Sequence, residues 1–141
     1  MEIYDDLTGG YNKWEFFSRV QEILANDSKT KYDIICSNIK NFKLVNDLFG
    51  IAAGDNLINQ ISDMLKNCVQ QEGLYARLEA DKFAVFVPAE MTQKVIPGFL
   101  ETGFCVAGQR SYVIHIDLGV YEINHPHFPD VRQSKYGAEY H

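Results

Sequence analysis

A short polar stretch between two β-type runs carries the most distinctive chemical groups of this chain. Glu79-Ala80-Asp81-Lys82 lies between the apolar residues 74–76 and 83–87, an arrangement that predicts the tip of a β-hairpin over about residues 76–83. The carboxylate of Asp81 is a hard anionic donor of the kind that Mg²⁺ prefers, whereas a neighbouring ammonium group repels the ion. Such a tip is also typical of an ordinary surface hairpin, so its meaning depends on the residues upstream.

Three separated motifs in the sequence resemble those of the GGDEF family of diguanylate cyclases. The family pattern runs D-x-L-T-G-L-x-N-R, then D-I-D-x-F-K-x-x-N-D-x-x-G-H-x-x-G-D, then R-x-G-G-D-E-F. Matches in the family's order are Asp6, Leu7, Thr8, Gly9, Asn12, Phe42, Lys43, Asn46, Asp47, Gly50, Gly54, Asp55, Arg77, Asp81 and Phe83. The resemblance covers roughly residues 4–123 and, because three motifs agree rather than one, identifies the chain as a member of this family.

The resemblance implies a catalytic site whose metal ligands have been lost. Active members join two GTP molecules across a dimer, with two Mg²⁺ ions held by the first aspartate of D-I-D and an acid of the G-G-D-E-F loop. The positions that depart from this pattern are Asn38, Lys40, Glu79, Ala80 and Lys82. Only Asp81 and the backbone of Ile39 remain as metal contacts. We therefore expect no intact catalytic set and no required cofactor, with Mg²⁺ entering together with GTP only if the site is active.

The same resemblance places a nucleotide-binding group at Phe42, Lys43, Asn46 and Asp55. The amide of Asn46 can pair with the edge of a purine, and the carboxylate of Asp55 can accept from the N1 and N2 hydrogens of guanine. Lys43 could steady a phosphate. Two structural roles compete with this interpretation: Asn46 could cap a turn, and Asp55 could cap the helix that follows Gly54.

Three functions remain open from the residues alone. The expected one is a catalytically degenerate GGDEF domain that acts as a regulatory or guanine-nucleotide-sensing module in bacterial cyclic di-GMP signalling. The second is an active diguanylate cyclase, and the third is a protein-interaction scaffold that binds no nucleotide. Lys40 or Lys82 could replace a metal ion opposite a phosphate in the first case, or could simply be solvated surface lysines.

Length and composition limit the partners. The chain has 141 residues, 46% of them hydrophobic, a net charge of -6 and a pI near 5.1. These values predict a single domain over 1–141 and argue against nucleic acid or an anionic membrane surface as the main partner. Three dispersed cysteines and the lack of a membrane-spanning apolar stretch predict a cytoplasmic location. The resemblance adds GTP or another guanine nucleotide, neighbouring sensory or EAL-type domains of a longer protein, and a homodimer as expected partners.

The hydrophobic pattern predicts an α+β fold with helices packed on a mostly antiparallel sheet, as in nucleotide cyclases. Asn12 and Glu15 mark the start of the first helix. The predicted elements are a helix over 12–25, a strand over 32–39, a short helix over 42–49 that stops at Gly50, a longer helix from about Asp55 to before Gly73, a hairpin over 74–88, a helical or irregular stretch broken at Pro97-Gly98, a strand over 104–107, a turn at 108–110 and a long strand over 111–123. Residues 124–141 are polar and short, so a C-terminal helix is expected to be shortened or absent.

Overall fold

The structure, a computed structural model, describes residues 2–123. These residues form four helices and four strands in the order helix, strand, helix, helix, strand, strand, helix, strand, with one turn of 3-10 helix at Ala89–Met91. The helices are α1 (Lys13–Asn26), α2 (Phe42–Phe49), α3 (Ile51–Val69) and α4 (Thr92–Glu101), and the strands are β1 (Tyr32–Ile39), β2 (Leu74–Glu79), β3 (Lys82–Pro88) and β4 (Ile116–Glu122). The predicted α+β class is confirmed.

The four strands form one antiparallel sheet in the order β2-β3-β1-β4. Because side chains alternate along a strand, each face of the sheet has its own core. One face packs against α3 and α4 through residues such as Ile35, Val85 and Leu118, all of them fully buried. The other packs against α1, which contributes Phe16 and Val20. β1 lies inside the sheet, so its C-terminal end at Ile39 is held between the hairpin and β4.

The start of α1 is the predicted one. Asn12 is the N-cap, and its side-chain oxygen accepts a hydrogen bond of 2.9 Å from the backbone N–H of Glu15. This bond satisfies one of the donors that a helix start leaves unpaired, which fixes where the helix begins.

Helix α3 begins four residues before the predicted position near Asp55. Gly50 has φ 92° and is both the C-cap of α2 and the N-cap of α3. A left-handed backbone of this kind costs glycine little, so one residue suffices to turn the chain from one helix into the next. Asp55 therefore lies within the second turn of α3 and cannot be its cap.

The segment between α4 and β4 differs most from the prediction. Residues 104–107 form no strand, and β4 begins at Ile116 rather than at 111. Val106 and Gln109 instead close a tight turn in which Ala107 and Gly108 both have positive φ. The side chain of Gln60 in α3 pairs with both the N–H and the carbonyl of Cys105, at 2.9 and 2.8 Å. A helix side chain thus takes the backbone hydrogen bonds that a strand neighbour would have provided.

Pro97 and Gly98 do not break the helix, contrary to the prediction. Both lie inside α4, where Ile96 and Phe99 are buried. A Cβ atom at Gly98 would come within 2.6 Å of the sulfur of Met64, so the glycine lets α4 approach α3 closely. The packing gained between the two helices offsets the low helix propensity of the pair.

Two further predictions concern membrane-spanning helices and a C-terminal helix. Within 2–123, no helix is both long enough and apolar enough to cross a bilayer. The expected shortening or absence of a C-terminal helix concerns residues 124–141, which lie outside the described residues.

Candidate functional site

The structure brings the predicted metal contacts Asp81 and Ile39 together. The strands of the hairpin reach Glu79 and resume at Lys82, so Ala80 and Asp81 alone form the turn. Ser37 of β1 pairs with Phe83 of β3, which sets this turn beside the end of β1. The carboxylate oxygen Oδ2 of Asp81 accepts a hydrogen bond of 2.7 Å from the backbone N–H of Ile39. One oxygen of the remaining aspartate is therefore already used by the fold.

The side chains around Asp81 do not fit a Mg²⁺ site. Lys82 lies 3.6 Å from Glu79, and both side chains are mostly exposed. Lys40 is also exposed and directly follows β1. Within residues 2–123 there is no cluster of three or more His, Cys, Asp or Glu side chains arranged to hold a metal. A hard divalent ion needs several oxygen donors. Besides the second oxygen of Asp81, this turn offers the exposed carboxylate of Glu79, which is already paired with Lys82.

Asn38 and Lys82 belong to a different part of the surface from the predicted nucleotide group. With Leu78 and Asp117 they line a cavity of about 280 Å³ on the α1 side of the sheet. Asn38 is opposite Asp117 in the pairing of β1 with β4. None of the four predicted nucleotide-binding residues lines this cavity.

The side chain of Asn46 occupies an unusual position between α2 and α3. Its backbone carbonyl accepts the N–H of Gly50 at 2.9 Å, as the end of a helix requires, but its side chain caps nothing. The side-chain oxygen is buried and makes no hydrogen bond within the described residues. An unpaired buried amide oxygen costs about 1–3 kcal/mol, so it calls for a functional explanation.

Gly54 is the reason that Asn46 fits. A Cβ atom at position 54 would collide with the side-chain oxygen of Asn46 and would come within 3.2 Å of the ring of Phe42. Phe42, Asn46 and Gly54 therefore converge at one point, with Asp55 the next residue in α3. Asp55 is half-buried and makes no capping bond, because the N-cap of α3 is Gly50.

Lys43 lies on the outside of this group. Its ammonium pairs with Asp47 one helical turn later, at 3.0 Å, and its side chain is 89% exposed. An exposed pair of this type is worth little, so the lysine is free to move to another anion.

A contact that the sequence did not reveal fixes the hairpin turn. Asp5 accepts hydrogen bonds from the N–H and hydroxyl of Thr8, each 2.9 Å long, and its other oxygen is 3.5 Å from Arg77. Arg77 in turn donates to the carbonyl of Ala80 at 2.7 Å. The motif aspartate near the N-terminus is therefore Asp5, and the match to Asp6 was wrong, since the spacing D-x-L-T-G itself points to Asp5. Its role is to position the turn that presents Asp81.

Cys36 is not a reactive group in this region. It lies on β1 two residues before Asn38, and burial raises the pKa of its thiol to about 11. At neutral pH the group is an uncharged thiol rather than the nucleophilic thiolate.

Comparison with known proteins decides the family. Residues 2–127 match the family described as diguanylate cyclase, GGDEF domain. The chain belongs to the GGDEF family. It is similar to an uncharacterized protein, y4lL, of Sinorhizobium fredii, with 29% identity over 130 residues that cover 85% of this chain and 15% of the relative. It is also similar to the probable diguanylate cyclase DgcT of Escherichia coli, with 30% identity over 83 residues, 59% of this chain and 18% of the relative.

A solved structure supports the same assignment. The crystal structure of a sensory box/GGDEF family protein from Caulobacter crescentus has 27% identity and a TM-score of 0.75, and the match covers 89% of this chain and 85% of that one. The chain thus spans 85% of that structure but less than a fifth of each of the two curated relatives.

Proposed function

We propose that this GGDEF domain is a catalytically inactive, guanine-nucleotide-sensing module of cyclic di-GMP signalling. The observation that carries the proposal is the buried, unpaired side-chain oxygen of Asn46, held against Gly54 next to Asp55. A purine that offered a hydrogen-bond donor would satisfy this oxygen, and Asp55 would accept from further guanine hydrogens. The structural alternatives do not account for either side chain, since neither caps a helix or a turn.

The oxygen donors around Asp81 do not suffice for two-metal catalysis. A two-metal reaction needs carboxylates that hold both ions between the attacking and leaving oxygens. Here one oxygen of Asp81 accepts the N–H of Ile39, and each of these two residues is followed directly by a lysine, Lys82 and Lys40. A lysine about 4 Å from a divalent ion is repelled by roughly 8 kcal/mol at an effective dielectric of 20, although a mobile side chain reduces this.

The phosphates would be held by charge rather than by metal. Lys43 and Lys40 flank the start of α2 and are exposed, and Lys43 is engaged only by an exposed partner. We therefore infer that nucleotide binding needs no Mg²⁺ and weakens as salt is raised, because exposed charges are screened over about 8–10 Å. We also propose that the domain works beside other domains of a longer protein, because it covers less than a fifth of each of the two curated relatives.

Calorimetric titration with GTP tests the binding step. We expect equal affinity with excess chelator and with Mg²⁺, and loss of affinity along a salt series. Asp55→Ala and Asn46→Ala should each weaken binding about 5- to 150-fold, the range for losing a hydrogen bond to a buried partner. Asp63→Ala and Asn67→Ala make the same chemical changes at exposed positions of α3 and should change nothing.

An assay for cyclic di-GMP on the same protein tests whether catalysis is absent. Incubation with GTP and Mg²⁺ should give no cyclic di-GMP above background. Metal-dependent turnover that disappears in Asp81→Ala would show an active cyclase instead. No binding of GTP at any salt concentration would leave a scaffold as the remaining function.

A further inference from the structure

A cavity of about 280 Å³ opens where the end of α4 meets the segment that leads into β4. Its floor consists of Phe99, Phe104 and Ile116, each less than a tenth exposed. Tyr112 and Ile114 form a wall and pack against the main core. A concave surface lined mainly by aromatic and aliphatic groups is the usual form of a small-molecule site.

The walls of the cavity are fixed by contacts on three sides. The ring of Tyr112 makes an edge contact with Phe49 of α2, with ring centres 5.0 Å apart. The carbonyl of His115 accepts the N–H of Lys40 at 2.8 Å. Gln60 holds Cys105 through two hydrogen bonds. These contacts hold the walls of the cavity in place, and a pre-organised site lowers the entropic cost of binding.

Large apolar side chains remain in contact with water at the rim. Leu100 is 40% exposed and Val113 is 70% exposed. A ligand with an apolar body would cover both and gain the associated hydrophobic free energy.

The ionisable groups at the rim favour one sign of charge. Arg110 and His115 line the cavity, and no carboxylate among the described residues does. Within residues 2–123, neither side chain takes part in an ion pair. The unpaired guanidinium of Arg110 occurs on a chain whose net charge is -6. The guanidinium of Arg110 is always charged and matches the geometry of a carboxylate.

We propose that this cavity binds a small organic anion with an apolar body, such as an aryl or short acyl carboxylate. The apolar body lies on Phe99, Phe104 and Ile116, and the carboxylate lies against Arg110 with an additional hydrogen bond from His115. The site is separate from the group around Asn46 and does not depend on the proposed nucleotide binding.

Three probes with one apolar body and different head groups test the proposal. The full chain is titrated with 4-phenylbutanoate, 4-phenylbutan-1-ol and 4-phenylbutylamine, and binding is followed by ¹H–¹⁵N NMR. For ligands of this size we expect a Kd of about 1 mM for the acid. The alcohol should bind at least about fivefold more weakly, and the amine should not bind. Shifts should concentrate at residues 99–104 and 110–116.

Charge and lining variants complete the test. Arg110→Gln should weaken the acid about fivefold and remove its advantage over the alcohol. Lys94→Gln removes the same charge from an exposed position of α4 that does not line the cavity, and it should leave binding unchanged. Leu100→Asn should weaken the acid and the alcohol equally. Equal binding of acid and amine, shifts located elsewhere, or no shifts at 10 mM acid would overturn the proposal.

Discussion

Replacement of Gly54 by alanine is expected to separate stability from nucleotide affinity. In the interior of a helix this change normally stabilises by about 1 kcal/mol. Here the added methyl collides with the side-chain oxygen of Asn46 and lies 3.0 Å from its Cγ atom. Since Asn46 is a movable side chain without a hydrogen bond at that oxygen, it should rotate away at a cost of about 1 kcal/mol.

These two effects on the free energy of unfolding have similar size and opposite sign. We therefore expect Gly54→Ala to be within about 1 kcal/mol of the parent protein in urea unfolding. GTP affinity should nevertheless fall about 5- to 150-fold, because the displaced amide no longer meets the purine. Urea unfolding and calorimetric titration of the same preparation measure both quantities.

A double-mutant cycle supplies the control. In an Asn46→Ala background the obstruction is gone, so Gly54→Ala should stabilise by about 1 kcal/mol and leave the residual affinity unchanged. If Gly54→Ala lowers affinity by the same factor in both backgrounds, its effect does not pass through Asn46. If it leaves the affinity of the parent intact, Asn46 does not contact the nucleotide and the reasoning fails.

Three further changes test the fold around the site. Asp81→Ala should lower the free energy of unfolding by about 1–2 kcal/mol because the N–H of Ile39 loses its acceptor, whereas Asp81→Asn retains an oxygen and should cost less; equal costs would contradict this role. Thr92→Val should cost about 1–3 kcal/mol in urea unfolding because it removes a 2.5 Å hydrogen bond to buried Asp33, and Thr92→Ser should be close to the parent. Burial raises the pKa of Cys36 from 9.0 to about 11. Iodoacetamide at pH 8 should therefore alkylate the thiol of Cys36 about a hundredfold more slowly in the folded protein than in the unfolded chain. The contribution of this thiol to stability should be present below pH 9 and lost as the pH rises through 11, and a rate equal to that of the unfolded chain would contradict its burial.

Local sequence patterns were sufficient where neighbouring residues decide the structure. The bounds of β1 and α2 agree with the prediction because a short β-branched run and a glycine with positive φ mark their ends. The N-cap of α1 at Asn12 is equally local. Residues 104–115 were mispredicted because the groups that fix them are distant. Gln60, 45 positions away in sequence, takes the backbone bonds of Cys105, and no short window contains both.

The candidate site shows the same division between local and distant causes. The sequence predicted Asp81 and Ile39 as metal contacts and treated Asp81 as a free ligand. Only the fold reveals the hydrogen bond between the carboxylate of Asp81 and the N–H of Ile39. The sequence alone could have predicted that the side chain of Asn38 faces away from that of Ile39, because alternate residues of a strand face opposite sides of a sheet. Asn38 and Ile39 must therefore diverge, and the structure places Asn38 in a cavity separate from the group around Asn46.

This separation gives the two halves of the candidate site different dependences on the fold. The carboxylate of Asp81 joins the hairpin to β1 by a hydrogen bond, and Asp5 and Arg77 hold the same turn in place. The Asp81 half of the site therefore contributes to stability whether or not any ligand binds. Asn46 does the opposite, because a buried side-chain oxygen without a hydrogen bond lowers stability. A buried polar group that lowers stability needs an explanation other than folding, whereas a residue that stabilises the fold is explained by folding alone. On this physical ground, the Asn46 half carries the functional proposal and the Asp81 half does not.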